Sequence, residues 1–372
     1  MDYILKTMDL THRYGVKADS HSLKNVSIGI RKGARTAILG ANGAGKSTLF
    51  YHLNGILRPE SGEVFYRNKT LSYKKEHLYQ LREDIAVVVQ NPDEQIFSST
   101  VEEDVAFGPM NLNLPPDIVE QRIKDGLSKV GMEEFRYRPT TQLSYGQKKR
   151  VAIAGALAME PKVLILDEPT AGLDPQMSNE VMELVDQLCI AGTTVVVSTH
   201  DVDLAYSWAE DLHVLRLGSL VYSGTPEGFF RNREEVALAG LTMPYMFSVN
   251  RSIALMRHED ESPYPRTRSQ LLTKMSSEDS TPGRIRIIPL EASEEPSADD
   301  GGCIAICGFR TRMTFKRLSL RADLYFDAIE GSCLEAVQGR DVTLFCDPDM
   351  VEHVRMKIEA LSAFGKGPEV IQ

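Results

Sequence analysis

The stretch Gly40-Ala41-Asn42-Gly43-Ala44-Gly45-Lys46-Ser47-Thr48 has the spacing glycine, four residues, Gly-Lys and then a hydroxyl residue, and its reading decides the fold. Before it, Arg35-Thr-Ala-Ile-Leu39 has the apolar run of a buried parallel strand; after it, Ser47-Thr-Leu-Phe-Tyr-His-Leu53 opens a helix. Strand, glycine turn and helix start in this order predict a phosphate-binding loop. Glycines let several backbone N–H groups converge, and the helix N-terminus adds its dipole to the anion-binding hollow. In such a loop Lys46 reaches the β- and γ-phosphates of a nucleoside triphosphate and Ser47 ligates Mg²⁺.

On the N-terminal side, Asp2 to Ile30 reads as short antiparallel strands: Val26-Ser-Ile-Gly-Ile30 alternates, and Gly15-Val-Lys-Ala-Asp-Ser20 is a polar loop. Tyr14, at the tip of the first hairpin, reads equally as a platform for an adenine ring and as a half-buried strand tyrosine. On the C-terminal side, Gly55–Gly62 is dense in turn formers and leads to a strand at Glu63-Val-Phe-Tyr66. The apolar strand Ile85–Val89 ends in Gln90, stopped by Asn91-Pro92. A glutamine at such a strand end can reach a metal or an attacking water. Phe97–Asn113 and Asp117–Val130 predict a helical region, broken at Gly108-Pro109 and Pro115-Pro116, with a mixed face suited to docking.

Leu143-Ser-Tyr-Gly-Gln147 enters a helix on which Val151, Ala154, Leu157 and Ala158 recur at helical spacing. Ser144 caps it and offers its first N–H groups to an anion. Lys162-Val-Leu-Ile-Leu-Asp167-Glu168 is a buried strand delivering two carboxylates to its C-terminal end, where parallel sheets hold their ligands. Asp167 suits Mg²⁺, mostly through water, and Glu168 suits a general base for a hydrolytic water. A turn at Ala171-Gly-Leu-Asp174-Pro175, a helix Gln176–Cys189 and a strand Thr193–Thr199 follow, and His200 stands where it can donate to a γ-phosphate.

Taken in order, Gly40–Thr48, Gln90, Leu143–Gln147, Leu164–Glu168, Ala171–Pro175 and His200 resemble the nucleotide-binding subunits of ATP-binding cassette transporters, over about the first two thirds of the chain. Gln90-Asn-Pro-Asp-Glu-Gln-Ile-Phe97 and Leu143–Gly155 resemble more narrowly the cobalt or nickel branch of the energy-coupling-factor importers. Tyr145 departs from the commoner signature, which has glycine there. The resemblance implies an α/β ATPase domain built of a parallel core sheet, an antiparallel β subdomain and a helical subdomain. It implies ATP and Mg²⁺ as cofactors, with Glu168, His200 and Gln90 catalytic. Tyr14, Gly40, Asn42, Gly43, Gly45, Lys46, Ser47, Thr48, Ser144, Gly146, Gln147 and Asp174 would contact nucleotide, and Ser47, Gln90 and Asp167 the metal. It also implies a homodimer that sandwiches two ATP molecules head to tail, because a phosphate loop alone leaves one flank of the γ-phosphate exposed. Membrane-embedded transport subunits would dock near Gln90–Phe107, which places the protein peripherally at the cytoplasmic face of the membrane. Besides an energy-coupling-factor importer for another small solute, the rival reading is a soluble cassette ATPase acting on nucleic acid or ribosomes. Such relatives carry a coiled-coil insertion or two cassettes in one chain, and neither pattern occurs here.

Composition points the same way. A net charge of −10 gives no overall basic footprint for nucleic acid. No apolar run reaches the ~18 residues of a membrane span, and the start Met1-Asp2-Tyr3-Ile4 does not read as a secretion signal. The cysteines are therefore expected as reduced thiols. With 372 residues, 42% of them hydrophobic, there is room for a second domain. The expected division is a cassette with a helical extension over 1–258, a flexible linker over 259–283 rich in charge, Ser, Thr and Pro, and a small α/β domain over 284–372. In that domain Arg284–Ile288, Cys303–Cys307 and Asp341–Cys346 read as strands and Met350–Phe364 as a helix. Strand alternation puts Cys303, Ala305 and Cys307 on one face. With Cys333 and Cys346 they are candidates for a regulatory metal or redox sensor, against the plainer reading of small core residues.

Overall fold

Three apolar strands, Arg35–Leu39, Thr194–Thr199 and Val163–Asp167, lie side by side at the centre of a six-stranded sheet. Both the Val163–Asp167 and the Thr194–Thr199 strands are buried along their whole length, as strands covered on both faces must be. Asp211–Arg216 and Ile85–Val88 flank them in parallel, and Ser219–Gly224 closes one edge as an antiparallel hairpin strand. The computed structural model describes residues 2–15, 21–277, 280–291 and 302–371; most of the polar loop expected at Gly15–Ser20 lies outside them.

The N-terminal strands form a separate antiparallel sheet, with Leu23–Val26, Tyr3–His12, Ser61–Tyr66 and Lys69–Thr70 in that order and Gly29–Arg31 also paired to Tyr3–His12. Helices Val101–Asn111, Pro116–Val130 and Tyr145–Leu157 pack on one another as the expected helical region. Pro109 sits inside the first of these helices and does not break it. The α/β class and its layers are thus those expected.

Two units divide the chain: residues Met1–Leu173 with Leu188–Pro244, and Asp174–Gln187 with Tyr245–Gln372. This differs from the expected boundaries at two places. Helix Tyr245–Arg257 groups with the C-terminal unit, and the stretch read as a flexible linker contains helix Arg268–Met275. Specific bonds order it. Ser269 gives its N–H and its hydroxyl to the Glu330 carboxylate at 2.7 Å each, and Lys274 Nζ donates to Asn250 Oδ1 and to the Glu261 and Pro263 carbonyls at 2.7–3.0 Å.

The C-terminal sheet is wholly parallel, in the order Cys303–Cys307, Val342–Cys346, Arg284–Pro289, Glu369–Ile371. Helices Phe309–Arg317, Ala328–Val337 and Val351–Glu359 complete it. Cys303, Ala305 and Cys307 face one apolar cluster together with Cys333 and Cys346, while Ile304 and Ile306 face another. Burial raises all four thiols, Cys333 and Cys346 to about 12. Such thiols stay protonated, the opposite of a reactive or metal-ready thiolate. They fill the core, and among the described residues no group of three His, Cys, Asp or Glu side chains is placed to hold a metal.

Asp174 and the helix after it, Pro175–Ile190, belong to this second unit as far as Gln187. Arg312 Nη2 meets Glu183 Oε2 at 2.6 Å with both side chains largely buried, and Asp186 faces His353 at 3.5 Å and Lys357 at 3.3 Å. Arg312→Ala leaves the Glu183 carboxylate buried without its cation. It is expected to cost about 3–5 kcal/mol, seen as a lower denaturant midpoint for the C-terminal unit; an unchanged midpoint would show that the pair carries no stability.

Candidate active site

Register brings the candidate residues to one edge. Leu39 lies opposite Thr199 and Asp167 opposite Ser198, so Gly40, Glu168 and His200 leave the sheet side by side. Ile85–Val88 borders Val163–Asp167, which puts Gln90 beyond the same edge.

The loop folds as its glycines require. Gly45 has φ 102°, a left-handed conformation open to glycine, and caps helix Lys46–Leu53. A Cβ on Gly40 would strike the Leu215 carbonyl, and one on Gly45 the Ser22 carbonyl. Lys46 is 6% exposed, and its Nζ donates to the carbonyls of Gly40 at 2.6 Å and Ala41 at 3.3 Å. The same ammonium meets Glu168 Oε1 at 3.1 Å.

Glu168 sits at φ 46°, rare for a residue with a side chain. Its N–H is held by Ser198, by the carbonyl at 3.2 Å and the hydroxyl at 3.1 Å. Its Oε2 lies 2.9 Å from His200 Nδ1, while among the described residues the buried Oε1 has the ion pair with Lys46 and no directed hydrogen bond. The Asp167 carboxylate, 5% exposed, accepts from the Ser198 hydroxyl. Ser47, Asp167 and Gln90 are oxygen donors only, the set a hard cation such as Mg²⁺ takes.

Tyr14 lies beyond the end of strand Tyr3–His12 and is 52% exposed. Its ring stands edge-on to His12 at 4.9 Å, His12 stands edge-on to His52 at 4.6 Å, and His52 Nδ1 is 2.7 Å from the Thr48 carbonyl. Tyr14 Oη is also 3.3 Å from Thr48 Oγ1, so the exposed ring is tied to the phosphate-loop helix. Burial pushes His52 down to about 4, from an ordinary 6.5. A depressed folded value means the neutral ring's contribution is present above the unfolded value and lost as pH falls toward the folded one. Linkage puts the loss at roughly 3 kcal/mol. In melts at about pH 7.5 and about pH 4.5, wild type is expected to lose that much more stability than His52→Phe; parallel losses would contradict it.

Ser144 and Gln147 close a capping box at the start of helix Tyr145–Leu157: Ser144 N–H donates to Gln147 Oε1 at 2.9 Å and Gln147 N–H to Ser144 Oγ at 3.3 Å. The Gln147 oxygen, expected at the nucleotide, is thus occupied by its own helix. Tyr145 Oη donates to the Gln90 carbonyl at 3.3 Å, and Lys148 pairs with Asp93 at 2.6 Å. Asp174 caps the helix that follows it, accepting from the Met177 N–H at 2.8 Å, and belongs to the second unit. Lys46, Glu168 and His200 therefore converge, with Asp167 beside them on Ser198, while Ser144, Gly146 and Gln147 form a separate helix start.

Two residues of this edge escaped the sequence reading. Ser198 holds both acids, and only the register of two parallel strands reveals it. Lys149 is fully buried, and burial pushes it down to about 8 against the pull of Asp167 and Glu168. Its signal was available: it falls on the stripe Gly146, Lys149, Ile153, Ala156, whose other members are buried and small or apolar.

The ABC transporter family profile matches residues 23–171. The energy-coupling factor transporter ATP-binding protein EcfA of Methanocaldococcus jannaschii is 47% identical over 261 residues, 70% of this chain and 92% of the relative. EcfA2 of Methanospirillum hungatei is 36% identical over 380 residues, 98% of this chain and 94% of the relative, so the likeness extends through the C-terminal unit. Among solved structures, CbiO1 of Clostridium perfringens, described as part of the ABC transporter complex cbiONQ, superposes with TM-score 0.58 and 42% identity over 68% of this chain and 96% of that one. The cassette MJ0796, solved as a post-hydrolysis dimer bound to ADP and Pi, gives TM-score 0.55 and 31% identity over 60% of this chain and all of that one. The chain belongs to the energy-coupling factor ATP-binding proteins, the ATP-hydrolysing subunits of ABC-type transporters.

Proposed function

We propose that two copies of this chain bind two ATP molecules head to tail and hydrolyse them at Glu168 to drive uptake of cobalt or nickel ions through separate membrane-embedded subunits. The observation that carries the chemistry is the Glu168 carboxylate: buried, held by His200 on one oxygen, facing the phosphate-loop cation with the other and short of a directed donor there. A carboxylate so placed accepts a proton from water attacking the γ-phosphate. Lys46 and the loop N–H groups hold the phosphates, Tyr14 stacks on adenine, and Ser47, Asp167 and Gln90 hold Mg²⁺, which neutralises phosphate charge when bound. Ser144 and Gly146 at the capped helix start cover the γ-phosphate of the other copy, an arrangement supported by the dimeric MJ0796 cassette. Every element stands in one chain, which favours a homodimer with two competent sites.

The membrane is reached through partners. No helix among the described residues is long and apolar enough to cross one. Phe97, 66% exposed, packs edge-on against Phe107 at 4.6 Å, and this apolar pair beside Asp93 offers the docking surface. Asp93→Ala with Phe97→Ala is expected to leave the ATPase of the isolated chain within about twofold while abolishing coupled uptake, because neither residue touches the phosphate site. Loss of basal hydrolysis would sink that separation. The cargo reading is supported by the segments Gln90–Phe97 and Leu143–Gly155 and by the likeness to CbiO1. Its test is ATP-dependent uptake of labelled cobalt and nickel by the complex co-purified with its membrane subunits and reconstituted in vesicles. Uptake of either ion supports the reading; uptake of an organic solute with neither ion transported overturns it.

A further inference from the structure

We propose that Lys149 is a positioning residue: from helix Tyr145–Leu157, the signature helix, it fixes the backbone that carries the catalytic glutamate and the turn at Gln90 that follows strand Ile85–Val88, the glutamine turn, in its own subunit. Lys149 Nζ lies 2.8 Å from the Gln90 carbonyl, 3.2 Å from the Val89 carbonyl and 3.5 Å from the Glu168 carbonyl. An ammonium has three N–H donors and no acceptor, and here three main-chain oxygens from two neighbouring strand ends surround it. The side chain is fully buried, so neither the cation nor the carbonyls find compensation in bulk water.

Each oxygen belongs to a segment the site depends on. The Gln90 carbonyl also receives Tyr145 Oη, so two residues of one helix grip one turn. The Glu168 carbonyl also accepts the Ala171 N–H at 3.2 Å, closing the turn after the strand, while Ser198 holds the Glu168 N–H. Glu168 is thus fixed at both ends of its peptide in a left-handed conformation that costs a residue with a side chain of order 1–3 kcal/mol. The long contact from Lys149 runs to this turn from the signature helix, and the 2.8 Å bond anchors the same ammonium to the glutamine turn. A shift of the signature helix would therefore move both turns together. This goes beyond the roles given above and rests on Glu168 being the base.

The test uses the full chain with Lys149→Met, which keeps length and removes the donors, and Lys149→Arg, which restores them. Without nucleotide, hydrogen exchange at the Glu168 and Ala171 amides is expected to speed up at least about tenfold in Lys149→Met. With saturating ATP, kcat is expected to fall about 10- to 100-fold, since small misplacement of a base is costly. The affinity for a non-hydrolysable ATP analogue should stay within about threefold, and Lys149→Arg should recover most of the kcat. In a double-mutant cycle, Lys149→Met adds little to the loss already caused by Glu168→Gln, because both act through one carboxylate. Unchanged exchange at Glu168 and Ala171, or a full additional loss in the Glu168→Gln background, overturns the proposal. If Lys149→Met does not give a folded chain, Lys149→Gln, which keeps a donor but no charge, takes the same measurements. The exchange arm involves no ATP, so it reports on Lys149 even if Glu168→Gln proves fully active, the outcome that would instead remove Glu168 as the base.

Discussion

Glu168→Gln is expected to lower the turnover number for ATP by about 10²–10⁴ while leaving ATP binding intact, because the amide keeps the shape of the side chain but cannot take a proton from water. The structure sharpens this. The carboxylate is buried and neighboured by Lys46 at 3.1 Å and His200 at 2.9 Å, so the substitution removes a negative charge from beside the cation proposed to hold the phosphates. Affinity for ATP should be unchanged or tighter, and a trapped ATP-bound dimer should accumulate. Hydrolysis near the wild-type rate would take the role of base away from Glu168.

Lys46→Ala is expected to weaken ATP binding about 10- to 100-fold, the worth of a charge-assisted contact to phosphate. It should also cut hydrolysis further than the affinity loss explains, since Glu168 loses the ion pair that holds its Oε1. Equilibrium binding of labelled ATP and kcat at saturating ATP separate the two effects. Undiminished affinity would contradict the placement of Lys46 at the phosphates.

The sequence disclosed the parts of this site that depend on local signals. The phosphate loop, the buried strands ending at Leu39, Asp167 and Thr199, and the Ser144 cap each follow from residues within a few positions of one another. What stayed hidden depends on residues distant in sequence. Ser198 meets Asp167 and Glu168 only because Thr194–Thr199 and Val163–Asp167 pair in parallel. Helix Phe309–Arg317 begins after Gly308 with no cap of its own; Asp347, far along the chain, accepts from the N–H groups of Arg310 and Thr311. The supposed linker misled by composition. Its charged and Ser-, Thr- and Pro-rich character is that of a flexible chain, yet Thr267 caps a helix by accepting the Gln270 N–H at 3.3 Å, and Glu330 anchors it. For the thiols the plainer of the two readings holds: strand alternation placed Cys303 and Cys307 on one face, and that face is the core.

If hydrolysis at Glu168 powers uptake, the two activities are lost together. ATP hydrolysis and labelled-ion uptake are measured in one vesicle preparation carrying the membrane subunits, with wild type and with Glu168→Gln. Both rates are expected to fall together by about 10²–10⁴ in the variant. Uptake that persists while hydrolysis is lost, or hydrolysis that persists in the variant, would contradict it.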